Sequence, residues 1–206
     1  MSEAAATFHA GVEPAESPLT PESWAKLGMW VFLAGDAMSF GGLLAAYGAF
    51  RYASPNWPLP SDVLGIQLTG LMTFLLICSS VTMVKALAAT QDGEPDKMRN
   101  FLALTILGGV IFLTLQAFEW THLIHRGLGF TGNPWGASQF GTTFFMLTGF
   151  HGCHVFGGVV YLSCVLAKGL QGGYSRTNFN GVETVGLYWH FVDLVWILVF
   201  TFVYLV

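Results

Sequence analysis

Five apolar stretches, at about residues 27–50, 63–89, 101–125, 140–167 and 183–206, leave this chain few ways to fold. Each is long enough to cross a bilayer as a helix, which takes about 20 residues. In hydrocarbon a lone strand leaves its backbone groups unsatisfied, whereas a helix pairs them within its own segment. The sequence therefore predicts an all-α, polytopic integral membrane protein: a bundle of five transmembrane helices. Composition agrees. Only 10% of residues are charged and 53% are hydrophobic, whereas soluble chains carry roughly 25% charged residues. A net charge of −4 with eight Lys and Arg gives no basic surface for nucleic acid. Three cysteines, Cys78, Cys153 and Cys164, all lie in apolar runs with no CxxC pair. They read as small buried thiols rather than a disulfide frame.

Residues 1–26 are rich in Ala, Pro, Ser and Glu and have no basic segment followed by an apolar one. They are expected to form a disordered cytoplasmic tail rather than a secretory signal. Residues 27–206 then form one membrane domain, whose connectors collect the prolines, glycines and charges. If the N-terminus is cytoplasmic, Lys26, Lys85, Lys97, Arg99, Lys168 and Arg176 fall on that side. Only Arg51 and Arg126 fall on the other. That bias predicts N-terminus cytoplasmic and C-terminus outside. Trp24, Trp57, Trp120, Trp135 and Tyr204 lie near span ends, as interfacial anchors do. Ala37, Gly41, Ala45 and Ala49 in the first span, and Gly149, Cys153 and Gly157 in the fourth, are expected to be faces where neighbouring helices approach closely.

Ionisable groups inside such runs are costly and so are informative. They are Asp36, Glu119, His151, His154, His190 and Asp193, with Glu183 at the start of the fifth span. At 1.5 Å per residue, Asp36, His190 and Asp193 lie roughly 11–15 Å from the N-terminal face. His151 and His154 lie roughly 16 and 21 Å from the opposite face, so the five share one layer. Glu119 stands apart, about 9 Å from the far end of the third span. The pairs His151/His154 and His190/Asp193 are spaced i, i+3 and each shares a helix face. The fourth and fifth spans adjoin in sequence, which suggests a polar seam between them.

Three readings of that seam stand side by side. It is interhelical hydrogen bonding that fixes register, a contact for lipid or a partner subunit, or a metal or haem site. The third is the weakest, because i, i+3 histidines without a further carboxylate make no ligand motif. No HExxH, CxxCH or nucleophile constellation occurs, so no catalytic residue and no metal ligand is assigned. A proton relay also fits intramembrane His and carboxylates. Asp36, in WVFLAGDAMSF with no cation at comparable depth, is either hydrogen-bonded to a neighbouring helix or a proton-uptake or reactive carboxylate facing a partner.

The motifs WVFLAGDAMSF, LLICSSVTM, LQAFEW, FFMLTGFHGCHVFGGVVYL and WHFVDLVW occur in this order over residues 24–206. Together they resemble subunit III of the haem–copper oxidases, in its short five-helix bacterial form. The resemblance implies a subunit with no haem or copper of its own, in a bacterial inner-membrane respiratory complex that reduces dioxygen to water with proton pumping. Haem and copper would lie in partner subunits. The implied partners are subunit I directly, subunit II and a small subunit IV, with structural phospholipids. The implied tasks are support of proton uptake, stability of subunit I and lipid binding. The resemblance puts the family's helix carboxylate at Asp36 and its third-span carboxylate at Glu119. Its His pair falls at His151 and His154, and its last-helix set at Glu183, His190 and Asp193. Two N-terminal helices of the longer seven-span members are missing here. An accessory subunit of nitric oxide reductase, from the same superfamily, is the alternative reading. A stand-alone intramembrane enzyme or carrier is the third.

Overall fold

The computed structural model describes residues 23–206, all but a few short connectors of which are helical. Five long helices carry the apolar runs: α1 (Trp24–Ala53), α3 (Ile66–Gln91), α4 (Pro95–His125), α5 (Gln139–Leu170) and α6 (Asn180–Val199), the last continuing as a π-helical stretch, Phe200–Leu205. A single turn, α2 (Pro60–Val63), lies between α1 and α3. Among the described residues there is no strand, only an isolated bridge between Ser175 and Asn178. The expected tail lies outside the described residues up to residue 22, and residues 24–26 form the first turn of α1.

The helix limits follow local chemistry. Ser23 caps α1, its side chain accepting the Lys26 backbone N–H at 3.1 Å. The run SPNWPLP, with three prolines, cannot continue the helix and ends α1. Gly93, at φ 73°, makes the tight turn from α3 into α4, and Pro95 then occupies the first helical turn, where its missing N–H costs nothing.

Helix α6 lies at the centre. It packs against α1, α3 and α5, while α3 pairs with α4 and α4 with α5. Its Trp189 and Trp196 are fully buried. Each indole N–H donates to a hydroxyl on α3, Trp189 to Ser79 Oγ and Trp196 to Thr73 Oγ1, both at 3.0 Å. A buried indole in a membrane protein needs such a partner. Room for Trp189 comes from Gly109 on α4 and Gly158 on α5. A Cβ at either would sit 2.6 or 2.9 Å from the ring. Gly108 plays the same part for α3, where a Cβ would come within 2.8 Å of Ser79 Cβ.

Two sequence expectations about packing are corrected. Ala37, Gly41, Ala45 and Ala49 face away from the bundle, and no neighbour lies within 4 Å of a Cβ built at Gly41. Helix α1 instead presents Leu33, Asp36, Phe40 and Tyr47 inward. The cysteines also lie on the outside rather than in the core. Lipid is as apolar as a protein interior, so hydrophobicity alone does not tell an inner face from an outer one.

Loop contacts gather the charges by side. Lys26 Nζ pairs with Glu183 Oε1 at 2.9 Å. Arg176 Nε donates to the Asp92 carbonyl at 2.9 Å, and Arg99 Nε to the Gly169 carbonyl at 3.3 Å. At the opposite end Arg126 donates to the Val63 carbonyl at 3.2 Å, and Arg51 to the main-chain oxygen of Val206.

Candidate functional site

Asp36 and His154 meet between α1 and α5. His154 Nε2 stands 3.0 Å from Asp36 Oδ2. The other ring nitrogen, Nδ1, lies 2.7 Å from the Phe150 carbonyl oxygen. A carbonyl only accepts, so Nδ1 carries a hydrogen. The Asp36 contact then needs a hydrogen between the carboxyl and Nε2 to be attractive. Either a neutral acid donates to neutral imidazole, or a carboxylate accepts from imidazolium. Phe40 and Phe150 enclose the imidazole, with ring centroids at 5.2 and 4.6 Å. Tyr188 Oη donates to the His154 carbonyl at 2.9 Å, tying α6 to the same point. Asp36 itself is 8% exposed.

His151, one turn earlier, sits in a different environment. It is 0% exposed. Its ring lies against Trp196, centroids 4.8 Å apart at 30°, with Phe112 edge-on at 5.6 Å. Neither ring nitrogen has a hydrogen-bonding partner among the described residues. The two histidines therefore do not converge on one point. Among the described residues no group of three His, Cys, Asp or Glu side chains is arranged to hold a metal.

The remaining groups occupy three further places. His190 Nδ1 lies 3.2 Å from Ser80 Oγ, so the His190/Asp193 face of α6 looks toward α3, and Asp193 is buried there. Glu119 bridges three elements. Its Oε1 accepts from Thr69 of α3 at 3.0 Å and its Oε2 from Tyr204 at 3.1 Å. It also lines a crevice of about 170 Å³ with Asp62, His122 and Arg126. Glu183 pairs with Lys26 at the N-terminal face.

The expected single seam between the fourth and fifth spans is thus resolved into separate contacts, because α1 wedges beside both of those spans. Sequence reasoning set Asp36 apart from the histidines and took Tyr204 for an interfacial anchor; Tyr204 is buried on Glu119. Ser79, Ser80, Thr69 and Thr73 were passed over. Hydroxyls inside an apolar run either meet a polar group on another element, as these four do, or bond back to their own helix on the outer face, as Thr114 and Ser163 do.

Comparison with known proteins gives a consistent answer. The sequence model of the family described as Cytochrome c oxidase subunit III matches residues 20–206. A Cytochrome c oxidase subunit 3 from Synechocystis sp. is 39% identical, over 86% of this chain and 74% of the relative. One from Bacillus subtilis is 35% identical, over 87% and 84%. A "Probable quinol oxidase subunit 3" from Staphylococcus saprophyticus is 33% identical, over 88% of each. With its five spans and a match that runs through all of them, the chain belongs to the cytochrome c oxidase subunit III family.

Proposed function

We propose that this chain is the non-catalytic third subunit of a respiratory haem–copper terminal oxidase. The observation that carries this reading is the family match, which runs through every described residue. The complex sits in a bacterial inner membrane, with the N-terminus and residues 1–26 on the cytoplasmic side and the C-terminus outside. The segregation of Lys26, Lys97, Arg99, Lys168 and Arg176 at one end supports that orientation. Subunit I is the direct partner, with subunit II and a small subunit IV nearby, and haem and copper belong to those partners. Phospholipids cover the outer faces. The readings as a nitric oxide reductase accessory subunit or a stand-alone enzyme or carrier draw no support from the relatives named above.

Within that role, the Asp36–His154 pair is the proton-handling element. It holds one exchangeable proton at mid-membrane depth, where a carboxylate and an imidazole are the groups relays use. Glu119, His151, His190, Asp193 and Glu183 serve packing, register and lipid or partner contact. Native purification with mass spectrometry of the co-purifying chains tests the assignment. A haem-bearing oxidase subunit I is expected, and its identity also separates a cytochrome c from a quinol donor. Recovery of the chain without such a partner, or stoichiometric haem on the isolated chain, would reject it.

A further inference from the structure

Helix α6, though central, is not fully enclosed. Helix α1 pairs with α5, and α4 bridges α5 and α3, but α1 and α3 pack on α6 without pairing with each other. The ring around α6 is therefore open between α1 and α3. On that side α6 shows Leu187, half-buried, and Leu194 and Ile197, both exposed. The α3 rim carries Ile77, Val81 and Val84, all exposed and all within about one turn of Ser80. Polar groups sit in this apolar opening. His190 Nδ1 lies 3.2 Å from Ser80 Oγ, while its Nε2 is neither bonded nor enclosed among the described residues. Asp193, one turn along α6, lies beside the same hydroxyl and the same imidazole. It is 7% exposed. Its Oδ1 is enclosed without a partner, and its Oδ2 is neither bonded nor enclosed among the described residues. Lipid-facing hydroxyls elsewhere in the chain satisfy themselves: Thr114 and Ser163 donate to carbonyls of their own helices. Ser80 turns to His190 instead.

We propose that the opening between α1 and α3 is a docking face for a transmembrane helix of another subunit, which brings a hydrogen-bond donor to Asp193 Oδ2. The inference rests on the reading of this chain as one subunit of an oxidase complex. It adds the face by which the chain docks and the chemistry its partner must carry. Depth excludes a lipid headgroup as the donor. His190 and Asp193 lie about 15 and 20 Å from the start of α6, near the middle of a hydrocarbon layer about 30 Å thick. Acyl chains reach that depth but donate nothing. They leave the carboxyl uncompensated, at a cost of several kcal/mol. A helix crossing at the same level meets the need with one hydroxyl, amide or indole N–H, while its apolar residues cover Leu194, Ile197 and the α3 rim. This face belongs to α3 and α6 and stands apart from the Asp36–His154 contact between α1 and α5.

The test places the photo-crosslinking amino acid benzoylphenylalanine at Leu194 or, on the opposite rim, at Val81. Native membranes are irradiated before the complex is purified. Both positions are expected to form an adduct with one membrane helix of another subunit. Mass spectrometry should map it to within one turn of a Ser, Thr, Asn, Gln or Trp. Asp193→Leu should speed loss of the chain from the complex in dodecyl maltoside by about threefold to tenfold, the scale of one interhelical hydrogen bond. Asp193→Asn should lose less, since an amide still accepts. Thermal unfolding of the isolated full chain should not fall with Asp193→Leu, because Oδ1 bonds nothing within the chain. A fall there that matches the loss from the complex overturns the proposal in favour of internal packing. Adducts only with lipid, or with a second copy of this chain, also overturn it. So does a partner helix with no donor near the adduct, or loss with Asp193→Leu no faster than wild type. In each of these cases co-purifying oxidase subunits leave the proposed function standing. Recovery of the chain with no other subunit rejects both.

Discussion

His154 Nε2 approaches Asp36 Oδ2 to 3.0 Å while its Nδ1 is committed to the Phe150 carbonyl at 2.7 Å. The second contact decides the chemistry of the first, because it leaves only one place for a mobile proton. Asp36→Asn keeps the size and a hydrogen bond but cannot release that proton. The variant is expected to assemble at normal yield and to slow proton uptake, or to shorten the working life of the oxidase. Steady-state turnover and proton pumping in vesicles check it; unchanged values in both would remove Asp36 from the proton path.

Removing the imidazole has a different outcome. His154→Leu leaves a buried carboxyl without its partner, at a cost of about 1–3 kcal/mol. Thermal unfolding of the purified complex should fall accordingly, whereas Asp36→Asn should fall less. Equal loss in the two variants would show that the pair is not what holds α1 to α5.

Glu119 is held from two sides, by Thr69 and by Tyr204. Thr69→Val and Tyr204→Phe should each cost about 0.6 kcal/mol, the usual scale of interhelical hydrogen bonds in membranes. Glu119→Leu removes both bonds and orphans the buried Tyr204 hydroxyl, while Thr69 can still donate to the Gly65 carbonyl at 3.2 Å; its cost should exceed the sum of the two. A double-mutant cycle on thermal stability measures the excess, and strict additivity would count against a shared network.

The socket around Trp189 gives a packing test. Gly109→Val places a side chain where a Cβ alone would be 2.6 Å from the ring. Overpacking of this kind costs about 1–3 kcal/mol. Combining it with Trp189→Leu should recover part of the loss, as judged by yield of folded protein. No recovery would mean the clash lies elsewhere, Val159 being the other neighbour.

Lys26 and Glu183 join the first turns of α1 and α6 while remaining partly exposed. Their coupling should be under about 1 kcal/mol and weaken with salt. The geometric consequence is larger than the energetic one. Cysteines at the two positions should be bridged by a flexible bis-maleimide spanning the length of the two side chains they replace, since the tip contact sets no disulfide distance, and failure to do so would contradict the parallel placement of these helices at that face.

Much of the fold was legible because bilayer thickness fixes span length, and each predicted span overlaps an observed helix. Depth was legible too: Asp36 and His154 were placed in one layer by counting residues. Rotation about each helix axis was not. The Ala37–Gly41–Ala45–Ala49 stripe and the three cysteines were assigned inward, yet both faces of a membrane helix are apolar and only side-chain size or a hydroxyl distinguishes them. The fourth and fifth spans do pack together, as expected, but one pairing stayed hidden. Order along the chain points to sequential pairs only, and the meeting of α1 with α5 is not sequential. Hydroxyls were the better guide, since Ser79, Thr73, Thr69 and Ser80 each mark a contact that crosses to another element.

Helix α6, the centre of the bundle, is the last of the five spans to leave the ribosome. The four earlier helices thus enter the bilayer around an absent middle, with the Trp189 and Trp196 hydroxyl partners on α3 still facing lipid. The α3–α4 and α4–α5 pairs can form early, but the centre of the bundle must wait for α6. A nascent chain stalled before residue 189 carries nearly all of its hydrophobic mass and its outer helix pairs, but lacks the two central indoles that tie them together, which makes it a ready target for membrane quality control.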